Sequence, residues 1–432
     1  MHMKAKNRKR LGRVTAMIAV GALIGATAQT ALAHGSHHGR DHKSAPFINN
    51  FSTVTQGASS APSAGFEAGD QNPYGVWVVP GTVGSLIKGD ILVSNFNNAG
   101  APPTGNLQGT GSSIVQYAPD AQSQTTFAEI NASTLPGSCP GGVGLTTALV
   151  VLRSGWVVVG SLPTTDGTIG TVGLGCLIVL DANGNPVETF SGADIAGPWD
   201  MTARDDGDKA QLFFSNVLNG NVATATPDTP VNAGTVVRMT LSTPPQGSGI
   251  PSVIETTVIG SGFPEENDPA ALIIGPTGVG LANGEDEGGD SQGDNSQSAR
   301  RHHGGGGNSQ GGDEGGNGGN GSTLYVADTV NNRIARIDGA SNRTSSAGTG
   351  HTVSTGGSLK GPLGLIIAPN GDILTVNSGD GNIVETTPHG TQTATVLLAP
   401  AGAGSLFGLA LVPDDSGIYF VDDSENQLNL FH

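Results

Sequence analysis

The same pattern occurs, without a gap, in two stretches: Leu149-Val-Val-Leu-Arg-Ser-Gly-Trp-Val-Val-Val-Gly-Ser161 and Leu365-Ile-Ile-Ala-Pro-Asn-Gly-Asp-Ile-Leu-Thr-Val-Asn377. Each stretch has an apolar run, a turn centred on Gly155 or Gly371, and a second apolar run that ends on a polar residue. Short apolar runs on both sides of a glycine turn are typical of a β-hairpin. Further copies cover residues 76–95, 201–216, 272–328 and 409–422, so the sequence contains related units at six places.

Two more strands are expected in each unit. In four units a third apolar run begins six residues after the polar end of the second, as from Asp328 to Ile334. The predicted third strands are 113–117, 176–180, 236–241, 334–337, 383–387 and 428–431, and fourth strands follow near 125–130, 187–190, 253–259, 343–347 and 393–398. Six repeats of four short antiparallel strands predict an all-β, six-bladed β-propeller. Closing the sheets into a ring protects their edges.

The ring needs one more strand for its last blade. The sequence ends at His432, directly after the predicted third strand of the sixth unit. Residues 47–55, Phe-Ile-Asn-Asn-Phe-Ser-Thr-Val-Thr, form an unassigned apolar and β-branched run near the other end of the chain. We therefore predict that an N-terminal strand pairs with the last blade and closes a single propeller domain over residues 47–432.

Two units resemble a known family. Leu324–Asp338 resembles an NHL repeat through Tyr325-Val-Ala-Asp328 and Asn331-Asn-Arg-Ile334, and Pro362–Asp372 resembles the first half of another. The other four units match loosely, so the resemblance implies an exported, bacterial-type NHL-like propeller and no particular activity. Enzymes with similar propellers include amidating lyases, which depend on a histidine-ligated zinc, and sugar lactonases, which hold a divalent metal at the channel.

Composition excludes several classes of protein. The 432 residues include 69 Gly, roughly twice the usual share, so helix-rich folds are not expected. The formal net charge is −17, which disfavours nucleic acid as a partner. Outside the His-rich segment and the insertion described below, the mature chain contains His351, His389 and His432, too few on one face for a three-histidine zinc site.

The first 33 residues have the pattern of a secretory signal. A basic start from Lys4 to Arg13 precedes a mostly apolar run from Val14 to Ala28, and Ala31-Leu-Ala33 fits a cleavage site. The apolar run is short for a transmembrane anchor, the alternative interpretation. We expect a secreted or periplasmic, monomeric protein with no transmembrane segment after cleavage near Ala33. Residues 34–46 would then form a His-rich disordered tail, for which metal binding is the other interpretation.

Two further features concern stability rather than chemistry. Residues 283–321 form a Gly-rich insertion with seven acidic residues and almost no apolar side chain, so we expect a disordered loop. Cys139 and Cys176, the two cysteines of the chain, lie in the same unit. In an oxidising compartment they are predicted to form a disulfide, and two buried thiols are the alternative.

The candidate site residues lie where the innermost strands begin. We call this side of the ring, where the second strands also end, the top face, and the opposite side the bottom face. Residues that break the repeat there are predicted to bind a ligand: Asn72, Tyr74, Trp199, Asp200 and Asp268. Aromatic rings can stack on a sugar, and the carboxylates of Asp200 and Asp268 could hold a divalent cation such as Ca²⁺. The sequence identifies no catalytic residue.

Two functions follow from this pattern. The first is an exported binding or scaffold protein that holds a small ligand or a protein partner through its top face. The alternative is a metal-dependent, sugar-lactonase-like or lyase enzyme with its site at the channel mouth. The sequence names neither the ligand nor the substrate.

Overall fold

The computed structural model describes residues 45–62, 64–65, 68–99, 105–220, 222–282 and 322–432. The predicted signal peptide, the His-rich segment up to residue 44 and the 283–321 insertion lie outside these residues. Short 3-10 helices span Phe47–Asn50, Ala132–Thr134, Ile169–Thr171 and Val222–Thr224. In the part of the chain that is described, no helix has the length and apolar character needed to cross a membrane.

Six antiparallel sheets form the blades of the propeller. Blade 1 contains β2 (Asp70–Val78), β3 (Ile91–Asn98), β4 (Ser113–Tyr117) and β5 (Gln124–Glu129), after the short strand β1 (Val54–Thr55). Blade 2 contains β6 (Leu145–Val151), β7 (Val157–Ser161), β8 (Cys176–Leu180) and β9 (Pro186–Phe190). Blade 3 contains β10 (Pro198–Asp205), β11 (Lys209–Asn216), β12 (Val231–Ser242), β13 (Ser252–Asp268) and β14 (Leu272–Ile274).

The remaining blades follow the same order. Blade 4 contains β15 (Pro276–Ala282), β16 (Thr323–Asp328), β17 (Arg333–Ile337) and β18 (His351–Thr355). Blade 5 contains β19 (Pro362–Ile367), β20 (Ile373–Asn377), β21 (Asn382–Thr386) and β22 (Gln392–Leu397). Blade 6 contains β23 (Leu406–Leu411), β24 (Ile418–Asp422) and β25 (Gln427–Phe431), with β1 as its outer strand. The predicted six-bladed propeller is confirmed.

The innermost strands surround a central channel. Each of β2, β6, β10, β15, β19 and β23 contacts the next, and β23 contacts β2, so the ring is closed. The strands approach so closely that a Cβ atom on Gly278, Gly364 or Gly408 would lie 2.1, 1.9 or 2.1 Å from a carbonyl oxygen of the neighbouring blade. Glycine at these positions is therefore a packing requirement.

Three predicted elements differ from the observed ones. The N-terminal strand has two residues, because Phe47–Asn50 forms a 3-10 helix instead. The outer strand of blade 4 is His351–Thr355 rather than 343–347, because the β-branched residues lie in the later segment. The innermost strand of blade 4 begins at Pro276 rather than Leu272, because Leu272–Ile274 pairs with the end of β13.

The predicted disulfide is present. Cys139 precedes β6, Cys176 begins β8, and their sulfur atoms are 2.06 Å apart. The bond closes a 37-residue span within blade 2. In the chain-entropy model such a crosslink stabilises the fold by about 4 kcal/mol.

Excising residues 283–321 should leave the ring intact. Ala282 and Thr323 are paired across β15 and β16, so an inserted Asn-Gly pair together with Ser322 makes a three-residue loop that can connect the strands. We expect the free energy of unfolding to stay the same or to rise by no more than about 2 kcal/mol, since loop closure costs only about 0.6 kcal/mol per doubling of length. Urea unfolding measures this, and a clear loss of stability would show that the insertion contributes to the fold.

Candidate functional site

Aromatic rings fill the top end of the channel. The ring of Tyr74 stacks on Phe407 at 3.9 Å and on Phe96 at 4.6 Å between ring centroids, and Trp199 stacks 6.4 Å from Phe407. The Tyr74 hydroxyl donates to the carbonyl of Ala270, and Trp199 Nε1 donates to the carbonyl of Ile273. We call Tyr74, Phe96, Trp199 and Phe407 the aromatic plug.

Two of the predicted site residues, Tyr74 and Trp199, are buried inside the aromatic plug. Tyr74 and Trp199 are each 2% exposed, so their faces are covered by each other and by their neighbours. A sugar has no free ring face to stack on there. Burial, with smaller effects from Asp423 and Asp268, raises the pKa of the Tyr74 hydroxyl well above its usual value. The hydroxyl is therefore neutral, and the plug closes the top of the channel.

A cavity of about 400 Å³ lies in the channel below the plug. Its walls are the innermost strands of all six blades, and most of its lining side chains are aliphatic, among them Leu149, Met201, Val279, Leu365 and Leu409. Residues near the ends of these strands, including Val78, Leu281, Ile367 and Leu411, are half-buried. The cavity therefore opens on the bottom face.

Asp200 is the ionisable residue of this cavity. It is 7% exposed, and its Oδ2 accepts a hydrogen bond from the backbone N–H of Val279 at 2.9 Å. Its own N–H donates to Ser215 Oγ at 3.1 Å, which fixes the backbone. Burial raises the pKa of Asp200 to about 7, and nearby N–H groups of Val279 and Met201 oppose the shift. Near neutral pH the carboxyl group is thus poised between its two forms.

The strand register shows that Asp200 replaces a glycine. Pro198, Pro276 and Pro362 occupy equivalent positions at the start of their strands, each paired with the polar end of the second strand. Two residues after each proline stand Asp200, Gly278 and Gly364. Blades 1 and 6 have glycine at this position as well, so blade 3 departs from a pattern shared by four others.

A hydroxyl group completes the polar part of the channel. Thr147 lines the cavity and its Oγ1 is buried without a hydrogen-bond partner. Burying an unpaired hydroxyl costs free energy. The channel therefore holds one carboxyl group and one uncompensated hydroxyl among mainly apolar walls.

Asp268 and Asn72 lie elsewhere. Asp268 ends β13, and its Oδ1 accepts hydrogen bonds from the backbone N–H groups of Ala270 and Ala271 at 2.8 and 2.9 Å. Asn72 has a positive φ of 61°, and its side-chain amide donates to Asp423 Oδ1. The structure does not bring Asp200 and Asp268 into one cavity.

Asp268 borders a second cavity on the top face. This cavity measures about 410 Å³ and is formed by three loops, with the lining residues Asn106, Gln108, Gly167, Thr168, Ile169, Asn267, Asp268, Pro269 and Leu272. Gln108 Nε2 donates to the carbonyl of Pro269 at 2.8 Å and so joins two of the loops. The loop after β3 and the loop after β7 therefore meet the end of β13 in blade 3 here.

Two further carboxyl groups, the buried Glu265 and the half-buried Asp423, were not identified from the sequence as site residues. Burial raises the pKa of Asp423 to about 7, against the opposing hydrogen bond from Asn72. Burial likewise raises the pKa of Glu265 to about 7, although Asn219 and Leu218 donate hydrogen bonds to it. Asp423 follows a conspicuous acidic neighbour, Asp422, which is the one signal that could have identified it.

The residues that the structure describes do not offer a metal centre. In the described ranges no three His, Cys, Asp or Glu side chains converge on one point. Calcium takes six to eight oxygen ligands, whereas the described side chains of the channel contribute one carboxyl group, the hydroxyl groups of Thr147 and Thr202 and mainly aliphatic walls.

No family model and no curated protein matches the chain. Solved structures that resemble it include a luciferin-regenerating enzyme (10% identity, 88% of this chain and 94% of that one, TM-score 0.48). Another is a gluconolactonase from Xanthomonas campestris (11% identity, 88% of this chain and 97% of that one, TM-score 0.45). A third is regucalcin, a calcium-binding protein from Agrobacterium tumefaciens (12% identity, 87% of this chain and 95% of that one, TM-score 0.45). At these identities and TM-scores the likeness assigns no activity to this chain.

Proposed function

We propose that this protein binds a compact, largely apolar small molecule in the channel cavity below the aromatic plug. The observation that carries the proposal is a buried carboxyl group, Asp200, facing an open cavity of about 400 Å³. Cavities of roughly 300–1,000 Å³ with apolar walls and few polar groups are typical of ligand sites. The sequence placed the binding surface on the top face; because the plug fills that mouth, the proposed site is entered from the bottom face.

A structural role does not account for a carboxyl group at this position. The bond between Asp200 and Val279 joins blade 3 to blade 4, but a neutral acceptor would serve equally for a backbone N–H. Four other blades close with glycine there. A buried carboxylate without a cationic partner costs free energy; no described Lys, Arg or His lines the cavity, so a ligand would have to supply that partner.

We also propose that the protein is an exported, NHL-like propeller. The basic and apolar pattern of residues 1–33 supports export. The Cys139–Cys176 disulfide supports it independently, since such bonds persist in oxidising compartments.

Adamantanol is a suitable probe, because it has a compact apolar body and one hydroxyl group. We expect it to raise the melting temperature of the purified protein and to change the fluorescence of Trp77, which lines the cavity. Ala410→Trp should abolish both effects by filling the channel, whereas Asp268→Asn should not. The proposal fails if wild type does not respond, or if the filled variant responds equally.

The second candidate function is an enzyme at the top of the channel. It is favoured by Asp423, whose pKa of about 7 suits a general acid or base, beside Asn72. Hydrolysis of a sugar lactone that Asp423→Asn abolishes, while adamantanol fails to bind, would favour the enzyme. Loss of that hydrolysis on chelation would further identify a metal-dependent lactonase.

A further inference from the structure

The charge balance of the channel cavity restricts its ligand. Strands β2, β6, β10, β15, β19 and β23 contribute all of its described lining residues except Pro80, which follows β2, and Asp200 is the single titratable or charged side chain among them. No described Lys, Arg or His lines the cavity to pair with the carboxylate. The whole chain carries a formal net charge of −17, which adds to the negative potential.

We propose that the channel ligand is an apolar amine whose protonated nitrogen donates a hydrogen bond to Asp200. This inference rests on the proposed function and names its ligand class. The ammonium group would supply the positive charge that the cavity lacks, and the hydrocarbon body would cover the aliphatic walls. Hydrogen bonds between charged partners are stronger than neutral ones, and more so where water is excluded.

Other ligand classes fit the cavity less well. A carboxylate or phosphate ligand would face Asp200 with no cationic residue in the described lining to pair with it. A sugar would bury several hydroxyl groups against Leu, Ile and Val side chains, at a cost for each unpaired group. A neutral alcohol can bond to Asp200 but leaves its charge uncompensated.

Three probes with one hydrocarbon body separate these classes: adamantylamine, adamantanol and adamantane carboxylate. At pH 8 we expect adamantylamine to bind about 10- to 100-fold more tightly than adamantanol, and the carboxylate to bind most weakly. Isothermal titration of the full mature chain measures all three. If adamantanol binds and the amine is no tighter, the proposed function stands and the amine inference is wrong. If no probe binds, both are wrong.

Substitution assigns the preference to Asp200. Asp200→Asn retains the size of the side chain and an oxygen for the N–H of Val279. We expect it to reduce adamantylamine affinity to that of adamantanol, with adamantanol affinity changed less than about threefold. Asp268 lies outside the cavity, so Asp268→Asn should leave both affinities unchanged. An amine preference that survives Asp200→Asn would overturn the inference.

Proton release provides a readout that packing alone would not produce. The raised pKa of Asp200 means that the free site is largely protonated at pH 6. Binding a cation there should release nearly one proton from Asp200, because the alkylammonium group keeps its own proton at this pH, as lysine does. The released proton is detected from the dependence of the binding heat on the ionisation heat of the buffer. At pH 9 the release should vanish. Equal release by adamantanol, or none by the amine at pH 6, would contradict the inference.

Discussion

Deleting residues 47–56 should lower the free energy of unfolding of the ring by about 5 kcal/mol or more. Phe47 and Ile48 are 7% and 0% exposed and pack between blades 5 and 6. Burying each such side chain contributes roughly 1.5–3 kcal/mol. Phe51 adds an edge-on contact with Phe431 at 5.5 Å, and β1 covers the edge of β25. The deletion removes all of these contacts together.

The segment is also held by a buried carboxylate. Glu385 accepts hydrogen bonds from the backbone N–H groups of Phe47 and Ile48 at 2.7 and 2.8 Å. It lies against Asp372, whose pKa is raised to about 6 by burial and by Glu385 itself. Deletion would leave Glu385 without two of its donors, which adds to the loss.

Urea unfolding of matched variants separates these contributions. Ile48→Ala should cost about 2–5 kcal/mol through loss of packing, and Glu385→Gln should cost less, since it retains one acceptor oxygen. Deleting 283–321 serves as the control for a deletion that leaves the described contacts in place. An unchanged midpoint after removal of 47–56 would mean that the ring closes without its N-terminal segment.

The propeller could be predicted because each blade repeats a local pattern. A strand, a glycine turn and a second strand are visible within thirteen residues, as in Leu149–Ser161. The innermost strand of the fourth unit was predicted four residues too early, because its true start depends on non-local pairing. Leu272–Ile274 is as apolar as a true innermost strand, and its pairing with β13 depends on contacts that a local pattern does not contain. Pro276 was the available signal, since proline begins the innermost strand in blades 3 and 5 too.

The site was predictable only in part. The departure of Asp200 from the glycine pattern is visible in the sequence, and the residue does face a cavity. Its partner Val279 lies 79 residues away, so the bond could not be foreseen. The aromatic plug depends on how closely six strands approach, which strand periodicity does not specify. Tyr74 and Trp199 were expected to expose their rings at the channel mouth; both rings are buried, 6.4 Å apart between centroids, and stack on Phe407.

The free energy of unfolding should fall as the pH rises from 5 to 8. Burial raises the pKa of Asp200, Glu265 and Asp423 to about 7 each, from ordinary values near 4. The folded chain therefore binds protons more tightly than the unfolded chain. The stability from each group is fully present below pH 4 and is lost as the pH rises through 7. Each group should contribute about 2–3 kcal/mol to the change.

Other shifted carboxyl groups do not reverse this direction. Asp70, Asp90 and Glu266 have pKa values raised by burial as well. The carboxyl groups with lowered pKa values, Asp166 and Asp414, lie in exposed turns and accept hydrogen bonds from neighbouring Thr or Ser residues. Their interactions are screened by solvent and change stability little. The net slope is therefore set by the buried groups.

Neutral variants test which carboxyl groups produce the slope. Asp200→Asn, Glu265→Gln and Asp423→Asn should each flatten the decline between pH 5 and 8. At pH 5 the wild-type carboxyl groups are largely protonated and therefore neutral, as the amides are, so the free energy of unfolding of each variant should be close to that of wild type at this pH. Urea midpoints at four pH values suffice, with Asp166→Asn as the exposed control. A stability that rises over this range, or a slope that all three variants leave unchanged, would show that these carboxyl groups are ionised inside the fold. The proton release expected on amine binding at pH 6 requires Asp200 to hold a proton in the free site, so a pH dependence of Asp200→Asn identical to that of wild type would also contradict that proton release.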